Sequence, residues 1–313
     1  MIDENLHIFE NGITLENRPI LEEYMNSYEY KSSGMSFSSM YMWRNINLFQ
    51  WDIIGDYMCV AGLSYMEDRF FLPFLFPPMT RTGAYEKESL RETIYRCKEI
   101  FEKKGQPFSI WLIPEHMLDI MKEACPEMEF EADRPNYDYI YLTEDLKNLK
   151  GRAYHGKKNH LNYFKKNFEY EYVPMTSDMA DDAMKFIAGF NERKNVSAHE
   201  MELLKMEEQA MDDVFRNLET VGYRGGVILI DGKIEALAVG GKLGKETITE
   251  HIEKANTNYR GLYPAINNEF CINVASGTKY LNREEDMGIE NLRKAKLSYK
   301  PVRILEKYIG TFK

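Results

Sequence analysis

The sequence predicts a mixed α/β fold made of two tandem copies of one unit, residues 1–145 and 146–313, and three observations carry that expectation. The chain has 313 residues, about twice a typical domain, so it has interior enough for two cores. Predicted elements run strand, strand, strand, helix, strand, helix, strand from residue 46 to 142, and the same order recurs from 227 to 309. Within each copy, alternation with a period of two gives way to apolar spacing of three and four, as when strands feed helices in a layered sheet.

Two short helices precede the first copy, one from Pro19 with Ile20, Leu21 and Tyr24 on one face, the other over residues 36–43. Residues 46–51, 57–63 and 69–75 then read as three antiparallel strands separated by Gly55-Asp56 and by 64–68. Pro73, Pro77 and Pro78 close this meander. Residues 85–104 place Leu90, Ile94, Cys97 and Phe101 along one helical stripe that Gly105 ends. A strand over 108–113, a helix over 114–125 with proline in its first turn, and a strand over 137–142 complete the copy.

The second copy follows two acidic helical segments, 178–192 and 199–219. Gly225-Gly226 introduces a strand over 227–230, Asp231-Gly232 is a two-residue hairpin turn, and 233–241 returns. In the third strand, 247–255, a period of two puts Ile248, Glu250, Ile252 and Lys254 on one face, and Thr249, His251 and Glu253 on the other. His251 and Glu253 are therefore expected to be neighbours. A helix from Leu262 carries Ile266, Phe270 and Val274 and stops at Gly277. A strand at 279–283, a helix at 288–299 and a strand at 302–309 end the chain. The first copy offers Phe70-Phe71-Leu72 where the second has His251 and Glu253, so the first is expected to be structural.

The 40 basic and 50 acidic residues give a formal charge of −10, which argues against a protein that coats DNA or anionic membrane with its whole surface. Residues 146–168 depart from that balance: Lys147, Lys150, Arg152, Lys157, Lys158, Lys165 and Lys166 stand there without one acid. Leu161, Phe164 and Phe168 would dock such a helix and leave its charge outward, either as a solvated connector or to capture phosphates of a coenzyme or of tRNA. Cys59, Cys97, Cys125 and Cys271 are widely separated, as expected of buried free thiols, and no metal site is predicted. Residues 1–34 hold acids and no apolar core of signal-peptide length, no run anywhere reaches membrane-spanning length, and the expected location is the cytoplasm.

His251-Ile252-Glu253-Lys254-Ala255, Gly261-Leu262-Tyr263, Asn282-Arg283-Glu284-Glu285-Asp286-Met287-Gly288, Leu292-Arg293-Lys294-Ala295-Lys296 and Ser298-Tyr299-Lys300-Pro301 carry a family resemblance. They resemble the end of a bacterial family related to the C-terminal catalytic domain of phosphatidylglycerol lysyltransferase. Tyr137-Asp138-Tyr139-Ile140-Tyr141 and Gly156-Lys157-Lys158-Asn159-His160 extend the resemblance more loosely. It implies two tandem GNAT-type N-acyltransferase domains and transfer of an acyl or aminoacyl group. The repeated element order matches the core of that fold.

Such a transfer needs a proton acceptor, a holder for the donor's phosphates and a stabiliser of the oxyanion. Glu253 is the candidate general base, with His251 as an alternative base or an orienting group. The competing reading pairs Glu253 with Arg283 or Lys254 and makes His251 a hydrogen-bonded structural residue. Tyr299 is the candidate general acid. Arg260, Gly261 and the amides that follow would receive a phosphate at the helix opening. Asn282, Arg283, Glu284, Glu285 and Asp286 would position an amino group or a ribose, with Asp286 competing as a helix N-cap. Arg293, Lys296, Lys157 and Lys158 are candidate phosphate contacts, although charge late in a helix is favourable on dipole grounds alone.

The donor is expected to be acyl-CoA or aminoacyl-tRNA, with no permanently bound cofactor. The acceptor is an amine or hydroxyl on a small molecule or peptide, and peripheral lipid contact stays open. The alternative is a non-catalytic ligand-binding protein that keeps the fold.

Overall fold

A computed structural model describes residues 6–65, 71–192 and 197–313. The chain packs as two compact units, residues 1–138 with 285–288 and 305–313, and residues 139–284 with 289–304.

In chain order the first elements are β1 (Asn11–Gly12), α1 (Arg18–Met25), α2 (Phe37–Trp43), β2 (Gln50–Ile54), β3 (Tyr57–Tyr65), β4 (Phe71–Leu75) and β5 (Met79–Thr80). They are followed by α3 (Lys87–Lys103), β6 (Ser109–Pro114), α4 (Leu118–Ala124), β7 (Met128–Ala132) and β8 (Asp138–Leu142). Next come α5 (Thr143–Asn148), α6 (His155–Asn167), β9 (Glu171–Pro174), α7 (Ala180–Glu192), α8 (Ala198–Arg216) and α9 (Leu218–Val221). The chain ends with β10 (Arg224–Ile230), β11 (Lys233–Lys242), β12 (Thr247–Ala255), α10 (Leu262–Asn273), β13 (Tyr280–Asn282), α11 (Glu290–Leu297), β14 (Arg303–Leu305) and β15 (Lys307–Phe312).

One sheet runs β1-β2-β3-β4-β6-β15-β7, with β5 on β3, and the other runs β9-β10-β11-β12-β13-β8-β14. The two orders correspond strand for strand. Each has an antiparallel meander, then one parallel pair at the same place, β4 with β6 and β12 with β13. Beyond that pair each sheet takes in a strand from far along the chain, β15 between β6 and β7, and β8 between β13 and β14.

This corrects two expectations. The strand at 137–142 does not close the first copy; as β8 it lies antiparallel to β13, with Tyr280 opposite Leu142 and Leu281 opposite Tyr141. Residues 302–309 are not one strand but break at Glu306, and β15 pairs antiparallel with both β6 and β7. Local alternation reports that a segment is a strand and says nothing of its partner, which is fixed by distant backbone and buried side chains. At the start of β15, the buried Lys307 ammonium lies 2.7 Å from Asp138 Oδ1, and Ser33 donates to the same carboxylate from its amide at 2.7 Å and its hydroxyl at 2.9 Å.

The expected strand at 46–51 also shifts. Ile46 and Asn47 both donate to the Trp43 carbonyl and Leu48 adopts φ +45°, so the strand begins only at Gln50. Of the expected third strand, Arg69 and Phe70 lie outside the described residues. The strands β7 and β9 were not anticipated. The hairpin at Asp231-Gly232 forms as expected, with φ +51° and +72°. All four cysteines are buried free thiols. Among the described residues, no helix is long and apolar enough to cross a membrane.

One core cluster of the second unit lies on one face of its sheet. Ile228, Ala236, Ala238, Ile248 and Ala255 meet Leu161 and Phe164 of α6 and Leu262, Ile266 and Phe270 of α10. Burial contributes roughly 1.5–3 kcal/mol for each large side chain. The basic run is thus part of this core through its apolar stripe, with Phe168 packed against it. Across the sheet, Lys254 reaches Glu207 of α8 at 2.7 Å and lies over the Phe190 ring of α7.

Candidate functional site

The site grows from a β-bulge. Along β11 and β12, Ala238 pairs with Glu253 and Val239 with Ile252, but the next residue, Gly240, pairs with Glu250. His251 is the extra residue, and inserting one residue reverses the phase of the strand. Glu250 and Glu253, which strict alternation puts on opposite faces, therefore share the face that packs against α6 and α10. The partner strand accommodates this with glycine: a Cβ at Gly240 would stand 2.2 Å from the Thr249 carbonyl oxygen and 2.8 Å from the Phe270 ring.

Arg283, one residue past the end of β13, bridges the two carboxylates. Its Nε donates to Glu250 Oε2 at 2.6 Å and its Nη2 to Glu253 Oε2. Asn267 of α10 donates to the same Glu253 oxygen at 3.2 Å. Two acids face one base in a site where the Glu250 side chain is only 2% exposed and that of Glu253 13%. Burial, then the charge of Glu253, pushes Glu250 up to about 8 against the pull of Arg283. Its Oε1 is buried without a donor among the described residues, and protonation turns it into a donor towards Glu253.

Aromatic rings wall this group. The Tyr299 ring lies 5.0 Å from the Arg283 guanidinium and 4.0 Å from the Lys157 ammonium, and Tyr141 is 5.8 Å from Arg283. Burial raises the phenols of Tyr299 and Tyr141 well above the usual tyrosine range and that of Tyr263, on α10, to about 12. All three remain protonated donors at neutral pH. Burial, and next the Arg283 charge, lowers the Lys157 ammonium. Lys296 donates to the Arg283 carbonyl, and the Tyr141 hydroxyl donates to the Lys296 carbonyl at 2.8 Å, tying α11 to β8.

The structure thus brings together Glu253, Arg283, Tyr299, Lys157 and Lys296. It does not pair His251 with Glu253. The His251 Nδ1–H donates to Glu284 Oε1 at 2.7 Å, and its ring meets Tyr223 edge-on at 6.0 Å. Glu284 sits at φ +57°, with its amide on the buried Asn282 side chain at 2.7 Å. Asn282 therefore shapes the turn. In the first unit, the fully buried Asp286 accepts from Arg134 Nη1 at 3.0 Å and from the Gly288 amide at 2.9 Å, and Glu285 is half-buried. Asp286 is not a helix cap, since α11 starts at Glu290 with Ile289 as its N-cap. Arg293 is half-buried on α11, and Lys158 is exposed on α6.

At the opening of α10, Gly261 adopts φ +92°, and a Cβ there would stand 2.2 Å from the His160 carbonyl oxygen, so α6 packs directly on this turn. The turn spends its own amides: Asn258 donates to the Asn256 side chain, Tyr259 to the Asn256 carbonyl and Leu262 to the Tyr259 carbonyl. Pro264 has no N–H to give. Arg260 is exposed, its guanidinium 4.7 Å above the Tyr163 ring. Among the described residues, no group of three or more His, Cys, Asp or Glu could hold a metal ion.

Sequence reasoning missed Glu250, Asn267, Tyr141 and Tyr263. The available signal was Gly240-Gly241, a glycine pair inside a strand, which marks a bulge or close backbone approach.

The profile for the family described as phosphatidylglycerol lysyltransferase, C-terminal, matches residues 25–310. The chain is 32% identical to a conserved protein of unknown function from Bacteroides thetaiotaomicron, with a TM-score of 0.88 covering 97% of this chain and 99% of that one. L-PGS from Bacillus licheniformis is 11% identical, with a TM-score of 0.68 covering 97% and 93%. A tandem GNAT protein from the clavulanic acid biosynthesis pathway is 8% identical, with a TM-score of 0.50 covering 96% and 97%. These last two likenesses are of fold, and the fold is the expected one, two tandem GNAT-like units with mixed sheets. An uncharacterized protein of Mycoplasmoides gallisepticum is 25% identical over 177 residues, so the match spans about half of each chain, 55% of this one and 55% of that.

Proposed function

Because this chain belongs to the phosphatidylglycerol lysyltransferase C-terminal family, we propose that its second unit moves an aminoacyl group from aminoacyl-tRNA to a hydroxyl or amine, with Glu253 as the general base. The observation that carries this reading is the fixed carboxylate. Arg283 and Asn267 both hold Oε2, and the adjacent Glu250 is driven towards its protonated form.

In the reaction, the acceptor's O–H or N–H gives its proton to Glu253 while its heteroatom attacks the ester carbonyl of the donor. The tetrahedral oxyanion collapses, the bond to the terminal ribose oxygen breaks, and that oxygen takes the proton from Glu253. Lys157 and the Tyr299 hydroxyl supply a cation and a proton donor for the oxyanion. Positioned proton transfer of this kind typically contributes about 10²- to 10⁴-fold.

The donor side favours an RNA over a coenzyme. The turn before α10 has bonded several of its amides internally, whereas α6 exposes Lys158, Lys165 and Lys166 in a run without acids. Lysines spread along one helix attract a phosphate backbone without reading sequence.

The test is single-turnover loss of labelled amino acid from aminoacyl-tRNA, with acetyl-CoA as the competing donor. The proposal expects turnover of the tRNA ester that weakens steeply with salt and with charge reversal of Lys158. Turnover of acetyl-CoA with none from any aminoacyl-tRNA contradicts the donor, and binding without turnover of either contradicts catalysis.

A further inference from the structure

Along α6 the inward side is an apolar stripe, and one of its positions holds a lysine. Tyr154, just before the helix, and Leu161 and Phe164 within it are buried. Steps of three and four put Lys157 on the same side, between Tyr154 and Leu161. The other lysines of the helix, Lys158, Lys165 and Lys166, are exposed, whereas Lys157 is half-buried. A lysine drawn out of water ordinarily finds a carboxylate, as Lys254 finds Glu207 and Lys307 finds Asp138. Lys157 finds a ring instead: its ammonium lies 4.0 Å from the Tyr299 ring and, among the described residues, makes no ion pair or hydrogen bond. The Arg283 guanidinium stands 5.0 Å from the same ring. Glu250 and Glu253 are both engaged by that guanidinium rather than by the lysine.

From this placement we infer that Lys157 is a self-acylation site, an amine that takes the acyl group of an activated ester when no acceptor occupies the site. A lysine set against an aromatic ring and beside another cation is held closer to its neutral, nucleophilic form. The groups that face it are Arg283, past β13, Glu253, on β12, and the Tyr299 phenol, past α11, which stays protonated at neutral pH. Burial, and next the charge of Arg283, lowers the Lys157 ammonium against the pull of Glu253. In the step, the neutral Nζ attacks the ester carbonyl, the C–N bond of an amide forms and the ester C–O bond breaks. Of the two protons the ammonium loses, one goes to the departing oxygen and the other to water. An amide is a poor acyl donor, so the group stays on the chain and the site loses a cation. The inference deepens the aminoacyl-transfer reading and rests on it only for the natural donor, the tRNA ester, since the chemistry asks for any reactive ester.

The test is p-nitrophenyl acetate on the full chain, with each acetylated lysine located by peptide mass spectrometry. Lys157 should acetylate about 10-fold or more faster than the exposed Lys158 beside it. In urea the two should react alike, and the rate at Lys157 should rise at a lower pH in the folded chain than in urea. Lys157→Arg, which keeps the charge and removes the amine, should abolish the fast phase of nitrophenolate release. Reaction at Lys157 no faster than at Lys158 in the folded chain, the same ratio of rates in urea, or a fast phase that survives Lys157→Arg overturns the inference. Labelled aminoacyl-tRNA, with and without acceptor, separates it from the proposed reaction. Fast acetylation of Lys157 with no loss of the tRNA ester leaves the self-acylation site standing and removes the reaction; transfer to an acceptor with Lys157 no faster than Lys158 does the reverse.

Discussion

In the first unit Asp138, Ser33 and Lys307 bury one acid against one base, and both carboxylate oxygens are bonded. In the second unit Glu250, Glu253 and Arg283 bury two acids against one base, and one oxygen of Glu250 has no donor among the described residues. The first group is closed: neutral, saturated and at most 3% exposed. The second carries a surplus of acid, a proton held at a raised pKa, and a carboxylate with 13% of its side chain still exposed. A saturated buried pair has no bonding capacity left, while an unbalanced one keeps capacity for a proton or a ligand. The repeated architecture therefore holds a saturated buried ion pair in one copy and an unbalanced acid group in the other.

The largest effect expected from breaking that contrast is on stability in the first unit. Lys307→Met leaves the Asp138 carboxylate buried without its cation and should cost about 3–5 kcal/mol, read from urea unfolding. Adding Asp138→Asn should recover a large part, because an amide oxygen can still accept from Ser33 while no charge remains. Loss without recovery would mean that the pair does more than neutralise itself.

Next comes the pH dependence of the second unit. Burial raises Glu250 from its ordinary 4.5 to about 8, so the folded state holds a proton that the unfolded chain releases between those values. The stabilisation from that proton is complete below pH 4.5 and disappears as pH rises through 8. Urea midpoints should fall across this window, and Glu250→Gln should flatten the slope. A midpoint unchanged by the substitution at both ends of the window would contradict a shared proton there.

The smallest effect expected is at His251. His251→Phe keeps a ring against Tyr223 and loses the bond to Glu284, which should cost about 0.5–1.5 kcal/mol by calorimetry and leave the transfer rate within about 3-fold. A larger rate loss would return His251 to the reaction.

Much of the fold is legible from local pattern. The stripe of Leu90, Ile94, Cys97 and Phe101 gives α3, Leu161 and Phe164 give the buried side of α6, and Asp231-Gly232 gives its hairpin. Each depends on residues within a turn or two of one another. Two features escape that reading because they depend on pairing across the chain. Strands β8 and β15 have ordinary strand sequences, and their partners lie far along the chain, β13 for β8 and both β6 and β7 for β15. The bulge at His251 leaves no mark on β12 itself, whose alternation looks unbroken; the mark is Gly240 on the neighbouring strand. One residue of slip exchanged His251 for Glu250 as the neighbour of Glu253, so the candidate base was found and its companion was not.

The most direct measurement of the central claim is the rate of amino acid transfer from tRNA by Glu253→Gln beside its unfolding midpoint. With Glu250 and Arg283 still paired, the variant should keep its midpoint within about 1 kcal/mol of wild type and lose about 10²- to 10⁴-fold in rate. A rate that survives the substitution, or one that falls only in proportion to lost folded protein, would contradict a catalytic carboxylate at this position.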